Sequence, residues 1–152
     1  MTQYGPTRTI QEAKLSGLLN RTLLLDLETT RSGRVRHIRL NNTSQLAGFT
    51  KRDDLIYFLK TIGGIKYLHV PELAPTRELL ESIKKKKGKW EDYETGYTTL
   101  LTERKADESF LRKTLENGDC LLCSESTPEH CHRRIVAEKF QSVTSNIDIV
   151  HL

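Results

Sequence analysis

No stretch of this 152-residue chain is apolar for long enough to span a bilayer, and its opening residues, MTQYGPTRTIQEAK, lack the apolar core that a signal peptide needs. The expectation is a cytoplasmic protein with no membrane partner. Cysteine is scarce too. The three present, Cys120, Cys123 and Cys131, cannot form an even disulfide set and lie close together, so they read as reduced thiols. There is no internal repeat, no low-complexity tract and no linker marking a second domain, so residues 1–152 read as one domain. Neither sign of charge dominates: 24 Lys and Arg against 20 Asp and Glu give +4, which permits an anionic partner without naming one.

What the chain does have is concentrated in residues 119–134, DCLLCSESTPEHCHRR. The run Cys120-Leu-Leu-Cys123 follows the turn signal Asn117-Gly118 and fits a buried strand of a parallel sheet. A polar loop containing Pro128 ends it. From Cys131 to Gln141 the spacing of Ile135, Val136 and Phe140 predicts an amphipathic helix. Strand, loop and helix make half of a βαβ unit, and in open α/β sheets such a loop borders the ligand crevice. Cys123, Ser124 and Glu125 would there face Cys131, His132, Arg133 and Arg134. The amino end of the helix favours an anion, the two arginines can grip phosphate or carboxylate, and the same field makes Cys131 a better nucleophile.

The rest of the chain supplies the frame. Residues 9–19 suggest a first helix, and Leu23 to Leu27 a buried strand with Asp26 at its carboxyl end. Residues 29–39 are basic, with Arg31, Arg34, Arg36 and Arg39 around a Ser-Gly turn, and read as a solvated loop. Residues 41–51 also read as loop. A helix over 53–61 opens on acidic residues and turns Leu55, Ile56, Phe58, Leu59 and Ile62 inward, ending at Gly63-Gly64. Residues 65–70 read as a strand, ended by Pro71 and Glu72; Thr76 opens a helix that runs into Lys84 to Lys87. Trp90, Tyr93, Tyr97 and Leu100-Leu101 recur at helical spacing and read as packing. Residues 107–116 suggest another helix, and the chain closes with a strand from Ile147. This order predicts an α/β fold, Rossmann-like, with a mostly parallel sheet and helices on both faces.

Three phrases carry a resemblance: LLLDLETTR, with Asp26 and Arg31; Tyr67-Leu-His69-Val-Pro71-Glu72-Leu73; and Leu122-Cys123-Ser124-Glu125 followed by Cys131-His132-Arg133. Together they make residues 23–152 similar to the family catalogued as domain of unknown function 488. That resemblance implies a fold and a site but no reaction.

For function, the first expectation is an enzyme acting on a phosphate-bearing substrate, a nucleotide or nucleic acid. Cys123 or Cys131 would be the nucleophile, and His132, Glu125 or Asp26 would move protons. Arg133 and the helix end would hold the anion, with Arg134, Arg31, Ser124 and Glu72 as further binding residues. No cofactor is called for. An alternative is a non-catalytic module that binds nucleic acid through the arginines of residues 31–39 and the lysine run. Metal binding is the third possibility. Cys120 and Cys123 would point to opposite faces of one strand, leaving only a smaller site of Cys123, Cys131 and His132.

Overall fold

The computed structural model describes residues 8–14, 33–41, 52–86, 88–106, 115–123, 129–144 and 146–151. In chain order the elements are β1 (Arg8–Lys14), β2 (Arg34–His37), α1 (Arg52–Gly63), β3 (Lys66–His69), a short 3₁₀ turn (Pro71–Leu73), α2 (Arg77–Lys86), α3 (Trp90–Glu103), β4 (Asp119–Cys123), α4 (His132–Val143) and β5 (Ile147–His151). The strands form one sheet in the order β3-β2-β4-β1-β5, and each neighbouring pair is parallel. The carboxyl ends of all five therefore lie at the same edge.

The central strand, β4, shows why the sheet is covered on both sides. Its five residues are all buried, so the run does not alternate between core and solvent. Cys120 and Leu122 pack on one face with Val35, Ile65 and the α1 residues Leu55 and Leu59. Leu121 packs on the other, with Ile38, Tyr97 of α3 and Val136 and Phe140 of α4. The expected α/β architecture with helices on both faces holds. No helix among the described residues is long and apolar enough to cross a membrane.

Three local expectations are corrected. Residues 9–19 were expected to begin a helix, but Arg8–Lys14 is a strand, hydrogen-bonded on both sides between β4 and β5. Pairing with two partners overrides the helical preference of Gln, Glu, Ala and Lys. The basic segment expected as a solvated loop contains β2, in which Arg36 is 1% exposed. Its charge is tolerable because Asp119, at the start of β4, accepts Arg36 Nε at 2.7 Å and Arg34 Nε and Nη2 at 2.7 and 2.8 Å. Ile62 was expected inward and is 56% exposed. Past it, Gly64 turns the chain at φ 61°, and Ile65 folds back under the helix end in its place.

Other expectations hold. Thr76 Oγ1 accepts the Leu79 N–H at 3.2 Å and so caps α2. Residues 71–73 end the strand before them, and β5 closes the chain. The strand expected at residues 23–27, residues 42–51 of the loop expected at 41–51 and residues 107–114 of the helix expected at 107–116 lie outside the described residues, and Leu115 and Glu116 are not helical.

Candidate functional site

Parallel pairing brings a row of polar side chains to the carboxyl edge. His37 of β2 stands level with His69 of β3 and Leu122 of β4, and Cys123 is level with Lys14 of β1. Strand alternation then divides them. His37, Tyr67 and His69 share the α1 side with Val35, whereas Cys123 shares the α3 and α4 side with Leu121.

On the second side Cys123 meets the start of α4. Cys131 is the residue before the helix, in extended conformation, and His132 is its first helical residue. The Cys123, Cys131 and His132 ligand atoms all lie within 4.8 Å of one another, and all three residues are buried. His132 is held from two directions. Its Nε2 is 2.9 Å from the Ile38 carbonyl oxygen, and because a carbonyl only accepts, Nε2 carries the proton. The Tyr97 ring stands edge-on to it at 5.8 Å. Tyr97 is fixed in turn, donating its hydroxyl to the Leu73 carbonyl, and burial raises its pKa well above the ordinary tyrosine value. The Cys123 sulfur is 3.6 Å from His132 Nδ1 and 3.7 Å from Nε2. Near-equal distances set the sulfur against the ring rather than in line with either nitrogen. The arrangement suits a thiol and its proton acceptor, since catalytic hydrogen bonds often tighten only with substrate in place. The same three side chains are also soft enough to hold a transition metal.

Beside His132 lies a cavity of about 440 Å³. Leu80, Ile83 and Gly88 form one wall. Trp90 and Tyr93, from the first turn of α3, form another, and His130 joins His132 on the third side. Trp90 lies tilted on Tyr93 at 5.0 Å, and His130 meets the indole edge-on at 5.1 Å. Trp90, like Tyr93 and Tyr97, is expected from the sequence as a packing residue. The two tyrosines are core residues, but Trp90 also borders open space.

On the α1 side stands His37, which is not among the site residues expected from the sequence. It is fully buried, its Nδ1 2.8 Å from the Tyr67 hydroxyl, and its Nε2 has no hydrogen-bond partner among the described residues. Burial, with smaller contributions from the charges of Arg39, His69 and His132, lowers its pKa from 6.5 to about 3, so the ring is neutral near pH 7. His69, 6.0 Å away between ring centroids, donates from Nε2 to the Arg39 carbonyl. The signal for His37 was the alternation Arg34-Val35-Arg36-His37, hidden by the density of arginine.

The other expected residues fall in different places. Arg133 is 2% exposed in the first turn of α4. Arg134 is engaged by Glu138 at 3.0 Å and by Glu94 of α3 at 3.2 Å. Glu72 is exposed on the 3₁₀ turn and borders a separate recess with Pro71 and Arg104. Asp26, Arg31, Ser124 and Glu125 lie outside the described residues. Cys120 packs in the α1-side core, as its strand position required.

Comparison with known proteins adds one finding. No curated protein and no solved structure matches the chain. The family model for the domain of unknown function DUF488 matches residues 23–140, a span that contains the cluster of Cys123, Cys131 and His132 together with Trp90 and His37. The chain belongs to the DUF488 family.

Proposed function

We propose that this protein is an enzyme acting on a phosphate-bearing substrate, a nucleotide or nucleic acid, at the carboxyl edge of the sheet. The observation that carries the reading is the contact of Cys123 with His132, whose tautomer is fixed by the Ile38 carbonyl. Cys123 is the nucleophile and His132 Nδ1 takes its proton, while Ile38 keeps the other nitrogen protonated. Negative charge developing on the substrate is met by the amino end of α4 and by Arg133. Glu125 and Asp26 are the further candidates for proton transfer.

The test is a turnover screen over nucleotides and short oligonucleotides, with intact-mass detection of a covalent adduct. Cys123→Ser removes the adduct, His132→Ala slows turnover by about 10²–10⁴-fold, and Cys120→Ala leaves it unchanged per folded molecule. An adduct that survives Cys123→Ser would sink the reading.

A second reading has its own observation, the clustering of the three ligand atoms. Stoichiometric zinc in the purified protein would make the two thiolates ligands rather than nucleophiles. The nucleic-acid-binding module draws less support, because Arg34 and Arg36 are committed to Asp119.

A further inference from the structure

The cavity beside His132 has features that thiol chemistry does not use. It is large enough for a small organic ligand, and binding sites of this size are mostly apolar with a few polar groups that set orientation. Here the apolar part is Leu80 and Ile83, and the polar part is two imidazoles. Between them stands an indole. Tyr93 supports one part of it and His130 meets it edge-on, and it still borders the open volume. Trp90 Nε1 is buried with no acceptor among the described residues, although an indole N–H is a donor that buried sites normally satisfy. Finally, the chain joining the cavity residues Ile83, Gly88 and Trp90 is the most basic in the protein, reading Lys84-Lys85-Lys86-Lys87-Gly88-Lys89. A sequence so rich in lysine beside the aromatic residues of the cavity matches a ligand that is planar at one end and anionic at the other.

We propose that this cavity is a nucleobase site, in which the base of a nucleotide or of a single-stranded nucleic acid lies against Trp90 while its phosphate lies toward Lys89, the exposed residue between Gly88 and Trp90. This deepens the function proposed above, on which it rests, by naming the part of the substrate that is recognised. Stacking on an aromatic ring tolerates any base, while the imidazole of His130 offers nitrogen partners to a base edge. A base seated here touches His132, which is also the group against the Cys123 sulfur.

Trp90 is the only tryptophan in the chain, so its fluorescence reports this cavity alone. The experiment titrates the full-length protein with AMP, GMP, CMP and UMP, with ribose 5-phosphate and inorganic phosphate as base-free probes, and with a short single-stranded oligonucleotide. Saturable quenching by the mononucleotides and none by the base-free probes is expected. Calorimetry on Trp90→Leu should show binding weakened about tenfold to a hundredfold. Ile83→Phe, which fills the cavity without touching the indole's chemistry, should weaken it as well. An oligonucleotide that binds more tightly than its mononucleotide, with steep salt dependence, supports the proposal and identifies the source of the base as a nucleic acid strand. Equal binding of ribose 5-phosphate and the mononucleotides would overturn the base site while leaving the phosphate-bearing substrate standing. Mononucleotide binding unchanged in both folded variants would also overturn it.

Discussion

Asp119 is one carboxylate shared by two guanidinium groups. Arg34 takes both of its oxygens, Arg36 adds a third contact, and the Glu116 N–H donates to Oδ2 at 3.0 Å. Arg36 and Asp119 are each 1% exposed. Taking two such charges out of water is expensive, so the pair itself contributes little net stability, but breaking it takes from a buried cation the carboxylate it is held against. Asp119→Ala is therefore expected to cost about 3–5 kcal/mol, measured as the shift in urea midpoint at constant m-value. Replacing Arg36 and Asp119 together by apolar residues should cost less than Asp119→Ala alone, because the fully buried cation is gone and Arg34, at 13% exposure, keeps its pairing with Glu116. These residues also show a limit of sequence reading. Four arginines within nine positions look like a surface meant for phosphate, and nothing local reveals that one acid far along the chain claims two of them. The cluster of Cys123, Cys131 and His132 was legible because strand, loop and helix are contiguous there. The cavity was not, because it takes residues from α2, α3 and the start of α4.

At the scale of elements, strands marked by apolar, β-branched or aromatic runs and helices with clear ends were readable, and strands marked by none of these were not. β4 announced itself through Cys-Leu-Leu-Cys, and α1 through its acidic start and its double glycine. β1 and β2 have no such run; they are strands because of what they lie beside. α1 offers a test of the local rules. Gly64 sits at φ 61°, its N–H bonds to the Lys60 carbonyl at 3.2 Å, and the Ile65 N–H bonds to that of Leu59 at 2.9 Å. A Cβ at Gly64 would meet no atom within 4 Å, so its cost comes from the backbone conformation alone. Gly64→Ala is expected to destabilise by about 1 kcal/mol, read from thermal and urea unfolding. An unchanged stability would mean that this turn is not held in the left-handed region in solution.

Across the whole molecule, His37 links protonation to folding. In the unfolded chain it takes a proton near pH 6.5, whereas in the fold it refuses one until about pH 3. Between those values the unfolded state binds the extra proton. The contribution of a neutral His37 is thus complete above about pH 6.5 and is lost as pH falls, at about 1.4 kcal/mol per pH unit for one proton. Urea midpoints of the natural protein and of His37→Gln, compared from pH 7 to pH 4, should show the variant with the shallower acid slope. Parallel curves would place the imidazole in water rather than in the core. The order β3-β2-β4-β1-β5 has a different consequence, one concerned with time. β1 is the first of these strands to be synthesised, yet its two neighbours lie more than a hundred residues downstream. On a ribosome, β2, α1 and β3 can pair as they emerge, while β1 must wait unpartnered until β4 and β5 have been made. Of the five described strands, the first made is among the last to find its place.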